Sequence, residues 1–187
     1  MTELGLLGGT FDPPHNGHVA LARAAIEQLP IERLLVLVVA NPGHKSTVLD
    51  AETRLELARA AFPDYEVRLD EHAYTVDSVR GGRFGDAFFV VGADEAAAFE
   101  SWKEPDEILR WVRLAVGTRS GYDPADLSRY GDRVVFFELD SPPLSGKDIR
   151  DRLARGEPVD DLVPLPVALL IEERGLYGAA GAAQRRG

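Results

Sequence analysis

The sequence predicts a doubly wound α/β fold in one domain, with a mostly parallel sheet covered by helices on both faces. Short apolar runs alternate along the chain with segments of helical periodicity, as in folds whose strands are joined by crossover helices. The run Leu34–Val39 is continuously aliphatic, which is typical of a parallel strand buried on both faces. Glycines and polar residues follow the apolar runs, and the loops after parallel strands gather at one ligand-binding edge.

The first four elements can be justified from local signals. Leu4–Leu7 is a buried strand that ends at Gly8 and Gly9, and Asp12 is predicted to cap the helix that follows and ends near Leu29. Pro13 or Pro14 suits the first helical position. A second strand covers Arg33–Ala40, and Asp50 caps a helix that runs to Phe62.

The rest of the chain continues the alternation of strands and helices. The remaining predicted elements are a strand at Tyr65–Leu69, a short helix from Tyr74 that Gly81–Gly82 ends, a strand at Ala87–Val91, a helical or irregular segment carrying Phe99 and Trp102, a helix at Asp106–Trp111, a strand at Arg113–Val116, a loop at Tyr122–Gly131, a strand at Arg133–Leu139, a turn and helix at Ser145–Arg155, and a last helix from Pro164 or Pro166 through Ile171.

Length and composition set the domain boundaries. A chain of 187 residues with 45% hydrophobic residues is enough for one sizeable core. No repeat or linker divides it, so residues 1–177 are predicted to form the domain. The segment 178–187 consists mainly of Ala, Gly and Arg and is predicted to be a disordered tail.

Charge and composition exclude several classes of protein. A net charge of −10 argues against nucleic acid as a partner, since such binding needs a basic face. The absence of cysteine excludes disulfides and thiol catalysis. No apolar run is long enough to span a bilayer, so no membrane partner is expected, and the start of the chain does not resemble a signal peptide. A cytoplasmic location is the default expectation, and a homo-oligomer is left open.

The predicted start of the first helix has the features of an anion site. His15 and His18 are three residues apart in the first turn and share a face, and Gly17 between them leaves room for a ligand against the backbone. Free backbone N–H groups and the helix dipole favour anions there, and imidazoles can become positively charged at modest cost near neutral pH. We expect the ligand to be a phosphate chain. No Gly-Lys-Ser/Thr follows, so the turn is not a P-loop.

The run GGTFDPPHNGH at positions 8–18 resembles the signature of nucleotidyltransferases with an H-x-G-H motif and a Rossmann-like fold, and further blocks extend this similarity to about Tyr177. Together they resemble the bacterial nicotinate mononucleotide adenylyltransferases. The further matching blocks are His44-Lys45, Arg54, Tyr74 to Ser78, Val91 to Asp94 with Phe99 and Trp102, Leu144 to Arg150, and Val167 to Tyr177.

The resemblance implies adenylyl transfer from ATP to nicotinate mononucleotide, giving deamido-NAD and pyrophosphate in NAD biosynthesis. It implies Mg²⁺ held mainly through the substrate phosphates, with no protein metal site. Arg54 is left outside the predicted site as a helix surface residue. The implied roles are catalysis by His15, His18 and Lys45; ATP binding by Gly8, Gly9, Thr10, His15, His18, Gly92, Asp94, Ser145, Lys147 and Arg150; and mononucleotide binding by Asn41, Lys45, Tyr74, Thr75, Trp102 and Arg119.

Two departures from the family pattern leave alternatives open. Ser145-Gly146-Lys147 stands where the family has Ser-Ser-Thr, so an ammonium replaces hydroxyl donors for ATP. The helix after Ser78 is shorter than usual and borders the predicted pyridine pocket. Nicotinamide mononucleotide or another phosphorylated acceptor is therefore one alternative, and a nucleotide-binding module without catalysis is another. Phosphopantetheine adenylyltransferases usually have threonine in place of His15, and glycerol-phosphate cytidylyltransferases end in a different arginine-rich block.

Overall fold

A single six-stranded sheet organises the molecule. The computed structural model describes residues 3–43, 46–119 and 126–179. All neighbouring strands in this part of the chain pair in parallel, in the order β3-β2-β1-β4-β5-β6, which confirms the predicted doubly wound fold. The strands are β1 (Glu3–Gly9), β2 (Ile31–Val39), β3 (Glu66–Asp70), β4 (Ala87–Gly92), β5 (Val112–Thr118) and β6 (Val134–Glu138).

Helices cover both faces of the sheet and supply two hydrophobic cores. One core packs β1, β2 and β4 against four of the helices, with Leu7, Val36 and Val90 among its buried residues. The other lies under the remaining helices and includes Leu6 and Leu35. The helices are α1 (Asn16–Gln28), α2 (Ala51–Ala61), α6 (Gly146–Ala154) and α7 (Leu165–Arg174) over the first core, and α3 (Thr75–Gly82), α4 (Ala93–Ala97) and α5 (Pro105–Trp111) over the second.

The structure corrects one detail of the predicted elements. Asp12 does not cap α1, because His15 is the N-cap residue and the helix begins at Asn16. In contrast, Asp50 caps α2 as predicted, accepting the backbone N–H of Thr53 at 2.9 Å. The glycine pair also ends α3 as predicted: its last residue is Gly82, and Arg83 after it has a left-handed φ of 48°.

The strand order places a crevice between β1 and β4. The chain leaves β1 towards β2 on one side and reaches β5 and β6 on the other, so the loops after these two central strands diverge. Of the predicted loop and tail segments, residues 120–125 and 180–187 lie outside the described residues. The helices of the described part are all too short or too polar to cross a membrane.

Candidate active site

A cleft of about 740 Å³ opens at the carboxyl edge of the sheet, around the crevice between β1 and β4. Open α/β sheets bind their ligands at this position. The structure brings together at this cleft nearly all the side chains and glycines that the sequence singled out. The predicted residues that line it are Gly8, Gly9, Thr10, His15, His18, Tyr74, Thr75, Gly92, Asp94, Trp102, Arg119, Ser145, Lys147 and Arg150.

Of the predicted site residues that the structure describes, Asn41 is not part of this lining. Asn41 follows β2 but is exposed, and its neighbour Pro42 lines the cleft instead. The chain turns inward only beyond Asn41, where the N–H of Gly43 donates to the carbonyl of Ala73 at 3.2 Å. Lys45 lies outside the described residues, as does His44.

The two histidines sit one above the other at the start of α1. His15 is the N-cap residue, and its backbone N–H donates to Nδ1 of His18 at 3.1 Å. Their rings stack with centroids 3.7 Å apart, and the ring of Phe11 packs edge-on against His18 at 5.0 Å. Because Nδ1 of His18 accepts a hydrogen bond, the neutral ring carries its proton on Nε2 and can donate there.

His15 is more deeply buried than the sequence suggested. Only 6% of the residue is exposed, and this burial lowers the pKa of the imidazole to about 4. The expectation that both imidazoles can become charged at modest cost near neutral pH is therefore wrong for His15, which is neutral there. Within the described part of the chain its buried Nδ1, which lies against Gly17, has no hydrogen-bond partner.

Gly17 makes room for His15 itself. A Cβ atom at position 17 would lie 3.0 Å from Nδ1 and 3.2 Å from Cε1 of the His15 ring. The sequence predicted that this glycine gives space to a ligand. The structure shows that the missing side chain leaves space for the imidazole of His15, which stacks on His18.

One part of the cleft lining is aromatic. Tyr74 is the N-cap residue of α3, and its ring packs on Gly43, where a Cβ atom would lie 2.6 Å from Cζ. Trp102 approaches from the segment after β4 and packs against Phe89 and Phe99 at centroid distances of 6.2 and 5.4 Å. These contacts leave two aromatic side chains on the cleft lining.

Another part of the cleft lining is basic. Arg119 donates from Nε to the carbonyl of Ser141 at 2.8 Å, and Arg150 donates from Nη1 to the carbonyl of Asp12 at 2.6 Å. Arg119 was predicted to contact the mononucleotide, together with Tyr74. Both residues line the same cleft, Arg119 from the end of β5 and Tyr74 from the segment after β3.

At the start of α6, two of the predicted ATP-binding side chains have partners within their own helix. The ammonium of Lys147 pairs with Asp151 at 2.6 Å, and the lysine side chain is 74% exposed. The hydroxyl of Ser145 caps the helix by accepting the N–H of Asp148 at 3.1 Å. Both residues line the cleft, and the lysine charge is directed to a carboxylate one turn along the helix.

Sequence reasoning missed Arg54, which is 1% exposed. Its guanidinium donates to four main-chain carbonyls at 2.7–3.1 Å and so joins the ends of β1 and β2 to the start of α2. Helical spacing offered a signal, because Arg54 shares a face with Ala58 and Ala61, which are both buried. The accepting carbonyls are those of Thr10, Val39, Ala40 and Leu49.

Carboxylates do not form a metal site in the described residues. No group of three or more His, Asp or Glu side chains is arranged there to hold a metal ion. The cleft centre instead offers ring nitrogens and the N-terminal N–H groups of α1, which are donors suited to anions.

The fold and this site define a nucleotidyltransferase. The sequence profile described as cytidylyltransferase-like matches residues 6–152, and the chain belongs to that family. It is 38% identical over 192 residues to a probable nicotinate-nucleotide adenylyltransferase of Exiguobacterium sibiricum, covering 94% of this chain and 98% of the relative. Its identity to the Bordetella pertussis protein of the same name is 35%, covering 95% and 98%. Within the wider family, the chain belongs to the nicotinate-nucleotide adenylyltransferases.

Comparison of structures agrees on the fold. The Plasmodium falciparum nicotinic acid mononucleotide adenylyltransferase complexed with NaAD superposes with a TM-score of 0.78, covering 95% of this chain and 98% of that chain. The two sequences are 16% identical, so the likeness concerns the arrangement of the backbone.

Proposed function

We propose that the protein transfers the adenylyl group of ATP to nicotinate mononucleotide, forming deamido-NAD and pyrophosphate in NAD biosynthesis. The observation that carries this proposal is the stacked pair His15 and His18 at the N-terminus of α1, in a cleft whose lining is aromatic in one part and basic in another. Curated relatives over nearly the full length carry the same activity in their names.

The two parts of the cleft lining suggest where each substrate binds. The aromatic part suits the flat pyridine ring, with Trp102 and Tyr74 as surfaces for stacking and the first N–H groups of α3, at Thr75, as donors to the nicotinate carboxylate. The basic part suits the phosphates of ATP. We therefore move Arg119 from the mononucleotide to the ATP side, next to Arg150, and keep Lys45 as the acceptor-phosphate contact.

The remaining predicted site residues keep their roles in the proposal with one change. The glycine-rich turn after β1, with Thr10, lets the triphosphate approach the backbone, and Gly92 with Asp94 frames a ribose whose hydroxyls donate to the carboxylate. Asn41, which does not line the cleft, is left without a direct contact.

The chemistry requires positioning more than proton transfer. An oxygen of the mononucleotide phosphate forms a bond to the α-phosphorus of ATP while the bond from that phosphorus to the bridging oxygen of pyrophosphate breaks. Donors fixed beforehand at the places where charge develops are the main means of accelerating such a step. In this arrangement His18 donates from Nε2, and neutral His15 supports its ring by stacking.

The N–H donors of the cleft suit the substrate phosphates, and those phosphates would hold a Mg²⁺ ion. The described residues offer N–H donors at the cleft centre and no carboxylate cluster. When bound, the ion would neutralise phosphate charge, and we assign it no protein ligand.

The proposal is tested by measuring pyrophosphate release with ATP and Mg²⁺. Nicotinate mononucleotide, nicotinamide mononucleotide and phosphopantetheine are compared side by side at equal concentrations. We expect a clear preference for nicotinate mononucleotide. Preference for another acceptor would overturn the acceptor assignment, and binding of ATP without turnover of any acceptor would support a nucleotide-binding module instead.

Trp102→Ala tests the pyridine side. Loss of the indole face should raise KM for the mononucleotide about 5- to 20-fold and leave KM for ATP nearly unchanged, because only the pyridine ring stacks there. The matched control is Trp111→Ala, which removes an indole that is 39% exposed and bonded to Glu107 away from the cleft. A rise in KM for ATP alone would place Trp102 on the adenosine instead.

A further inference from the structure

The loop between β1 and α1 is held by a buried polar network that lies outside the substrate contacts described above. Asp12, in the middle of this loop, is 4% exposed. Its carboxylate accepts the hydroxyl of Tyr177 at 2.7 Å on one oxygen and the backbone N–H of Val48 at 2.6 Å on the other. One carboxylate thus ties together the loop before His15, the end of the loop after β2, and the segment after α7.

The same loop is held from two further directions. Arg54 donates to the carbonyl of Thr10 at 2.8 Å, two residues before Asp12. Arg150 donates to the carbonyl of Asp12 itself at 2.6 Å. Four separate parts of the chain therefore fix the residues that precede the histidine pair.

The loop needs such support because part of its backbone is strained. Phe11 has a φ of 49°, in the left-handed region that a bulky L residue rarely adopts. Its side chain is 1% exposed and contacts both His18 and Phe62. A relaxation of Phe11 would move the ring against which His18 packs, so the network bears directly on the position of the imidazole.

Electrostatics keep the network together. Arg54 is buried with main-chain carbonyls as its hydrogen-bond partners, and burial lowers its pKa, while Asp12 is the largest of the negative charges that oppose this shift. Burial and the carboxylate of Asp12 raise the pKa of Tyr177 above its ordinary value, so the phenol stays a hydrogen-bond donor. Leaving a buried carboxylate without hydrogen-bond partners costs free energy, which favours the arrangement in which Asp12 keeps both of its hydrogen bonds.

We propose that Asp12, Tyr177 and Arg54 are positioning residues for adenylyl transfer: through the Thr10–Asp12 loop they hold His15 and His18 in the geometry that the reaction uses. This inference rests on the proposed function. It extends the catalytic machinery to Tyr177, which lies beyond residues 6–152 matched by the family profile.

The first experiment compares Tyr177→Phe with the wild-type protein. Removing one hydroxyl leaves Asp12 with an unsatisfied oxygen and should let the loop relax, lowering kcat about 10- to 100-fold, since small misplacements of catalytic groups have effects of this size. KM for each substrate should stay within about threefold. The matched control is Tyr65→Phe, the same chemical change at a tyrosine packed beside Phe62 and away from the cleft, for which kcat should not change.

A double variant separates positioning from mere stabilisation. If Tyr177 acts through the histidines, Tyr177→Phe should have little further effect on kcat in a His18→Ala background, because the group that it positions is absent. Multiplicative losses in the double variant, or an unchanged kcat in a folded Tyr177→Phe protein, would overturn the proposal.

Two further measurements keep the test independent of folding and of turnover. If Tyr177→Phe does not fold, Val48→Pro removes the other donor to Asp12 at a residue that is 63% exposed, and the same loss of kcat is expected. The ¹⁵N shifts of the histidine rings report whether His18 keeps its proton on Nε2. We expect Tyr177→Phe to give a mixture of the two His18 tautomers, and an unchanged tautomer would overturn the positioning proposal. This readout does not depend on turnover. Absence of adenylyl transfer by the wild-type protein would refute only the proposed function.

Discussion

At the residue scale, burial decides what each histidine can do. His15 is enclosed and neutral near neutral pH, whereas His18 is oriented by the hydrogen bond from the backbone N–H of His15. The same two residues that look equivalent in the sequence therefore differ in burial and in the hydrogen bonds of their rings. We expect this difference to appear in kinetics and in the pH dependence of stability.

Replacement of His18 should act mainly on the transition state. We expect His18→Ala to lower kcat about 10²- to 10³-fold, as for other single donors to developing charge, with little change in either KM. Steady-state kinetics with each substrate varied in turn measures this. Equal changes in kcat and KM would contradict the assigned role.

The low pKa of His15 makes the stability of the fold depend on pH. Its pKa is about 4 in the folded protein and 6.5 in the reference state. Between these values the unfolded chain binds a proton that the folded one does not, so the free energy of unfolding falls as the pH is lowered from 6.5 towards 4, by up to about 3 kcal/mol.

Unfolding in urea at several pH values, with His15→Asn as the comparison, measures this contribution. The variant should lack this part of the pH dependence and show a flatter profile between pH 6.5 and 4. Parallel profiles for the two proteins would show that His15 titrates normally in the folded state.

At the scale of the elements, signals local in the sequence predicted strands, helices and caps better than they predicted polar contacts between distant residues. The aliphatic run of β2 and the cap at Asp50 were read correctly because each depends on residues close in sequence. Asp12 was misread as a helix cap because its partners, Val48 and Tyr177, are far along the chain. Arg54 was misread because an arginine on a helix is usually exposed.

The start of α6 gives a prediction at this scale. Because the ammonium of Lys147 pairs with Asp151 and its side chain is largely exposed, Lys147→Met should change KM for ATP by less than about threefold, as exposed ion pairs contribute little. Arg150→Met should have a clearly larger effect on the same constant, because its guanidinium lines the cleft and is proposed to contact the phosphates of ATP. Equal effects would show that the lysine leaves Asp151 for ATP.

At the scale of the whole molecule, the strand order explains why sequence analysis located the cleft but not its division. Parallel strands guarantee that the loops after them share one edge, so residues as distant as Gly8 and Arg150 could be assigned to one site. Which side of the crevice each loop occupies depends on the order of strands in the sheet. The proposed place of Arg119 on the ATP side therefore depends on the strand order, which the sequence alone did not supply.

Ligand binding to this cleft should stabilise the entire domain. A nonhydrolysable ATP analogue with Mg²⁺ at 100 times its Kd should add about 2.7 kcal/mol and raise Tm by about 5–10 °C for a chain of this size. Thermal unfolding followed at increasing analogue concentration measures the shift. His18→Ala should keep most of it if the imidazole acts in the transition state, and losing the shift would assign His18 to ground-state binding.

The hydrogen bond between Asp12 and Tyr177 joins residues 165 positions apart. Contacts of such long sequence separation form late, because the intervening chain must first be ordered. During synthesis on a ribosome, α1 and its histidines emerge early. The carboxylate of Asp12, in the loop before them, lacks one of its hydrogen bonds until Tyr177 has been synthesised. Catalytic competence should therefore be acquired only after nearly the whole domain has been translated, while the sheet that carries the site can begin to assemble well before.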